Sequence, residues 1–148
     1  MGYTMDPDPE NTAKAYGKEI QISPKKSYEV CNLIRGKDVD EAIDILDDVI
    51  EKRRAVPYRR YNKRVAHNKG VGPGGYPVKA ASKIKEFIEQ AKSNAEEKGL
   101  DSENMKIIGL AAHRASPVKG NRPRAQGRST PFDRKRTNLE IILQEKEE

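Results

Sequence analysis

Residues 105–143 read MKIIGLAAHRASPVKGNRPRAQGRSTPFDRKRTNLEIIL, and this stretch decides the fold. Its ends, MKIIGLAA and TNLEIIL, are apolar and alternate with a period of two, the pattern of half-buried strands. Between them, over 114–136, stand eight Lys or Arg and a single acid, Asp133. Strand-like sequence on both sides of a polar segment predicts a β-hairpin with its stem at 106–115 and 134–143. The outer half has too little apolar surface to bury, so something anionic must surround it. About ten residues beyond the stem would carry the tip roughly 30 Å outward. A two-stranded ribbon is marginal in water without a partner, so the finger is expected to order on binding.

Outward from the hairpin, composition sets the frame. The chain has 148 residues, of which 34% are apolar, so one domain with a limited core and extensions is expected. The net charge of +6 is unevenly spread. Over 52–85 there are eleven bases and no acid, whereas over 1–51 twelve acids face six bases. A merely solvated surface would intersperse the signs, because like charges repel unless a partner neutralises them. Nucleic acid is the economical partner. A membrane-surface helix needs an apolar face opposite its bases, and 52–70 has none, so a membrane partner is not expected. No apolar run is long enough to span a bilayer, and no signal pattern opens the chain, which points to a cytoplasmic protein.

The remaining elements follow from pattern. Residues 1–13, with Asp6-Pro7-Asp8-Pro9, read as a flexible lead-in, and 18–22 as a short strand. Ser23 caps a helix with Pro24 at its first position and Tyr28, Cys31 and Ile34 inward, and Arg35-Gly36 stops it. Asp38 and Glu41 have capping-box spacing, and Ala42, Ile45, Leu46, Val49 and Ile50 form the buried stripe of a second helix. The segment 52–77 has no consistent period and is expected to be a long basic loop ordered on binding. A third helix spans about 78–98, with Ile84, Phe87, Ile88, Ala91 and Ala95 inward and Gly99 as its stop. In the hairpin Ile108, Leu110 and Ala112 are expected to face the helices beside Leu139, Ile141 and Leu143. The fold class is α+β: a small antiparallel three-stranded sheet, covered on one face by three helices, with a long protruding β-hairpin. Residues 14–143 form one domain, with basic loop 52–77, hairpin 106–143, tip 116–129 and a charged tail at 144–148.

Several chemistries are excluded. The two helices at 24–50 resemble a helix-turn-helix, but the second presents Asp40, Asp44, Asp47, Asp48 and Glu51 where a recognition helix would meet phosphate. The letters G-x-G-x-x-G at 70–75 follow RRYNKRVAHNK and not a hydrophobic strand, so a turn hugging backbone is the better reading than a dinucleotide site. One cysteine and two histidines provide no disulfide framework and no zinc set, so no metal and no cofactor are expected. His67 and His113 stand in basic settings without an evident acidic orienter, so no catalytic set is assigned and the chain is not expected to be an enzyme. An enzyme on a phosphorylated substrate would require a pocket at one of them.

The positive case is RNA. Tyr58 and Tyr61 flank Arg59-Arg60 and Tyr76 closes the glycine turn, which sets rings that stack on unpaired bases beside guanidiniums that fork onto phosphates. The candidate RNA-binding residues are Arg53, Arg54, Arg59, Arg60, Tyr61, Lys63, Arg64, His67, Lys69, Lys79 and Lys83 in and after the loop. In the hairpin they are His113, Arg114, Lys119, Arg122, Arg124, Arg128, Arg134, Lys135 and Arg136.

Leu33-Ile34-Arg35-Gly36-Lys37 with Val39 and Glu41-Ala42, then Pro123-Arg124-Ala125-x-Gly127-Arg128, Lys135-Arg136-Thr137 and the 139–143 strand, occur in this order. Together they resemble ribosomal protein L-twenty-two of the large subunit, over about 14–143. HNKGVGPGGYPVKAA at 67–81 looks like the archaeal and eukaryotic branch, and the lack of a long C-terminal extension favours the archaeal form. The resemblance implies a structural constituent that binds large-subunit ribosomal RNA beside neighbouring ribosomal proteins, not a homo-oligomer. It implies a body near the polypeptide exit and a hairpin tip, Gly120, Asn121, Arg122, Pro123, Arg124 and Ala125, lining the tunnel next to the nascent polypeptide. A non-ribosomal RNA- or DNA-binding regulator is the alternative.

Overall fold

Strand 137–145 is buried at most of its positions because it lies in the middle of the main sheet. In this computed structural model the described residues are 10–63, 65–117, 121–123, 127, 129–131 and 134–146. The elements in chain order are β1 (Thr12–Ile20), α1 (Pro24–Ile34), α2 (Val39–Ile50), β2 (Val56–Pro57), β3 (His67–Asn68) and β4 (Gly72–Gly75). These are followed by α3 (Val78–Glu97), β5 (Met105–Arg114), β6 (Asn121–Pro123), β7 (Ser129–Pro131) and β8 (Thr137–Glu145). The main sheet has the order β1-β8-β5, antiparallel throughout. Leu139, Ile141 and Leu143 of β8 are fully buried against Ile34, Ile84, Ile88 and other residues of the helices. The fold is thus α+β, three helices against a three-stranded antiparallel sheet.

Two strand readings change. β1 begins at Thr12, not at residue 18, and Thr12, Ala13 and Ala15 are buried. Small alanines mark the inward face only weakly, which is why the alternation escaped the pattern. In β5 the register slips between Ile107, opposite Leu143, and Gly109, opposite Ile142. This β-bulge turns Met105, Ile107 and Leu110 into the core and leaves Ile108 partly exposed, while the partly buried Ala112 packs against the core as expected.

Both edges of the sheet are closed by side chains or turns. On β5, the Gly36 amide donates to the Ile107 carbonyl (3.0 Å), the Ile107 amide to the Lys37 carbonyl (2.9 Å), and Arg35 Nε to the Leu110 carbonyl (2.9 Å). Gly36 makes this turn at φ +84°, a conformation that favours glycine. On β1, Asn94 Nδ2 donates to the Lys14 carbonyl (3.1 Å) and Lys98 Nζ to the Thr12 carbonyl (2.6 Å). An edge so occupied is a poor template for another strand.

Helix α1 starts as the sequence dictates, with Ser23 Oγ accepting from the Lys26 amide and Pro24 in the first turn. At α2 Asp38 holds the N-cap position but makes no side-chain cap bond. Its carboxylate is drawn instead to Lys146 Nζ, 3.1 Å away, so the expected capping box is not formed. The acidic face of α2 meets α3 lysines, Lys85 on Asp47 at 2.5 Å and Lys92 on Asp40 at 3.3 Å.

Cys31 is fully buried in α1, and burial pushes its thiol up to about 12 despite the nearby Arg35. The thiolate is the reactive form, so near neutral pH this burial keeps the thiol protonated and inert. A thiol reagent is expected to leave the folded protein unmodified for hours and to label it at once in denaturant. Rapid labelling without denaturant would show that the core opens around α1.

Candidate nucleic-acid interface

The basic loop is built on a buried carboxylate. Glu29 of α1 is 1% exposed, and it accepts the backbone amides of Arg59 (2.7 Å), Arg60 (2.9 Å) and Tyr61 (3.1 Å). The segment 52–77 is therefore not the unpatterned loop expected from sequence. It holds a second small sheet, order β2-β4-β3. β4 passes so close to β2 that a Cβ on Gly74 would lie 2.5 Å from the Val56 carbonyl, which accounts for glycine there. In the 70–75 run Gly74 thus serves a tight backbone approach, while Gly70 and Gly72 serve turns at positive φ.

The tyrosines divide by role. Tyr58 packs on the core, and burial, with Glu29 nearby, raises its phenol above the ordinary range. Tyr61 meets Tyr28 of α1 edge to face at 5.7 Å, while Arg60 lies over both rings at 5.3 and 5.5 Å and Lys25 over Tyr61 at 5.6 Å. Tyr28 is only partly buried, so it flanks the loop and does not sit wholly in the core as expected. Tyr76 stays exposed.

Arg54, Arg59, Arg60, Lys63, Lys69 and Lys79 are exposed and have no carboxylate partner among the described residues. His67 is exposed as well. Arg53 is held by Asp48 (3.0 Å) and Glu51 (2.5 Å), and Lys83 faces Glu86 at 3.7 Å. Arg64, Lys119, Gly120, Arg124, Ala125 and Arg128 lie outside the described residues.

At the hairpin root, Arg136 Nε donates to the Ser116 carbonyl (2.7 Å) and its guanidinium meets Glu19 at 3.3 Å. Thr137 Oγ1 donates to the Ile22 carbonyl (2.8 Å), and Asn138 Oδ1 accepts the Glu19 amide (2.8 Å). Glu19 has φ +58°, and these two neighbours hold it there. Arg114, Lys135 and Arg136 line a cleft of about 220 Å³ together with Pro24, Ala115 and Pro117. Further out β6 pairs antiparallel with β7, Arg122 opposite Thr130. The first turn of α1 joins the two basic groups, since Pro24 borders the root cleft and Lys25 lies over Tyr61.

His113 does have an acidic neighbour, contrary to the sequence reading: Nε2 is 3.1 Å from Oε1 of the buried Glu140. A larger groove of about 570 Å³, lined by residues including Lys37, Asp38, Lys106 and Glu145, is not lined by either histidine, and neither is the root cleft. Among the described residues no cluster of three His, Cys, Asp or Glu is suited to a metal ion. No helix among them is long and apolar enough to cross a membrane.

Residues 15–144 match the family model described as ribosomal protein L22p/L17e. The chain belongs to the ribosomal protein L22p/L17e family. Members of this family are structural components and not enzymes, and the chain is of the archaeal form. It is 43% identical to "Large ribosomal subunit protein uL22" of Methanopyrus kandleri, over 97% of this chain and 95% of the relative. The same-named proteins of Methanococcoides burtonii and Methanocaldococcus jannaschii are 44% and 43% identical, over 97% and 98% of this chain and 95% of each relative. Glu29, Lys25 and Tyr28 stand in the candidate interface, and sequence reasoning passed over them there. The signal for Glu29 was an acid between Tyr28 and the apolar pair Val30-Cys31.

Proposed function

We propose that this ribosomal protein binds large-subunit ribosomal RNA through one basic surface, formed by the loop at 53–69, the first turn of α1 and the hairpin. The observation that carries the reading is the distribution of ion pairs. Asp38, Asp40, Asp47, Asp48 and Glu51 are each paired with a base within the fold, the last two sharing Arg53, whereas six bases of the loop and of early α3 have no carboxylate partner among the described residues. Phosphate is the counter-charge such a surface fits. Within the subunit the body sits near the polypeptide exit among neighbouring ribosomal proteins, and the hairpin tip, 120–125, lines the tunnel passed by the nascent polypeptide. The closed edges of the main sheet support a chain that does not pair with its own copies.

The test combines sedimentation with cross-linking from position 124. The chain should travel with large subunits at moderate salt, and the cross-link should reach ribosomal RNA and a stalled nascent chain. A chain that stays in the supernatant while binding free RNA would favour a regulator acting outside the ribosome.

A further inference from the structure

The residue at the centre of the loop cluster is held unlike the other bases. Arg60 is exposed, meets no carboxylate among the described residues, and lies over the rings of Tyr28 and Tyr61. Its backbone amide is fixed on the buried Glu29. We infer that the Arg60 guanidinium is a stacking platform for one unpaired nucleobase, with Lys25 placed for the adjoining phosphate. This rests on the RNA-binding reading above and adds a contact that reads a base face.

Three observations lead there. The two ring neighbours hold the Arg60 guanidinium by its face and not by its N–H edge, so its plane is engaged as a stacking surface. Tyr61 already meets Tyr28 in a T-shaped pair and carries two cations over its ring, so it is engaged in supporting Arg60 and is not itself an open stacking surface. Finally, three consecutive amides bound to Glu29 hold the backbone beneath Arg60 without a ligand, and a preformed plane loses less entropy on stacking. Guanidinium planes are a recognised surface for splayed RNA bases.

The test uses the full chain, large-subunit ribosomal RNA, a twelve-nucleotide oligoadenylate and an abasic oligomer with the same phosphates. The wild-type chain should bind the oligoadenylate about tenfold more tightly than the abasic oligomer. Arg60→Lys keeps the charge but has no plane; it should lose that preference and retain the unfolding midpoint. Lys106→Arg, exposed on β5 and not among the residues of the basic surface, should keep both. Equal wild-type affinity for the two oligomers, or a preference surviving in Arg60→Lys, overturns the platform. Failure of the wild type to bind the ribosomal RNA overturns the RNA reading itself, a result the variants do not enter.

Discussion

Replacing Glu29 with alanine is expected to lower folding stability by about 3–5 kcal/mol, comparable to emptying a core leucine site. Hydrogen bonds to a charged group contribute about 1.5–3 kcal/mol each, and Glu29 receives three from Arg59, Arg60 and Tyr61. Part of that sum is offset because the variant no longer buries an anion. The three amides would then face a cavity unless the loop peels from α1 to reach water. Glu29→Gln keeps one accepting oxygen but turns an NH2 toward donors, and should cost about 2 kcal/mol. Urea midpoints measure both. Hydrogen exchange at residues 59–61 supplies the local readout, since these amides should exchange fastest in the alanine variant. A midpoint within about 0.5 kcal/mol of wild type would mean that the carboxylate does not hold the loop.

The same residue shows where sequence reading stops. The apolar stripes Ala42-Ile45-Leu46-Val49 and Ile84-Phe87-Ile88-Ala91 gave their helices directly, because burial on one face is written every three or four residues. Segment 52–77 has no such stripe, since its order comes from a partner thirty residues earlier in the chain. A local window sees only the prolines, glycines and bases. Tyr61 likewise reads as a free ring until α1 places Tyr28 and Lys25 against it.

Registers were hidden for a related reason. A strand pattern of period two assumes no inserted residue, and the bulge at Ile108 exchanges the faces of everything before it. Nothing in MKIIGLAA distinguishes Ile107 from Ile108, and only Gly109 hints at a bend. The His113 contact depends on the same register. Its direct partner across the strands is Asn138, and Glu140, opposite Ala111, is reached diagonally, so no linear spacing reveals the pair. The hairpin root was legible as composition but not as mechanism. Lys135-Arg136 reads as two bases alike, yet Lys135 is exposed while Arg136 ties β8 to Ser116 and Glu19.

Substituting Arg122, Arg124 and Arg128 together with alanine is expected to weaken association with large-subunit ribosomal RNA roughly a hundredfold near 0.1 M salt, and to reduce the salt slope by about two to three units. Each guanidinium on a phosphate releases roughly 0.7 to 0.9 of a counterion, so three contacts account for the slope. Affinity measured from 50 to 400 mM salt separates this loss from unfolding. The stem packs through Ile107, Leu110, Leu139 and Ile141, and the root is held by Arg136 and Thr137, none of them substituted. The melting temperature should therefore stay within a few degrees of wild type. Triple lysine replacement sharpens the interpretation, because it preserves charge while removing the fork. If phosphates are met bidentately, lysine restores the slope but only part of the affinity. A full recovery would mean diffuse attraction, and an unchanged slope in the alanine variant would mean that the finger's bases face something other than the RNA backbone.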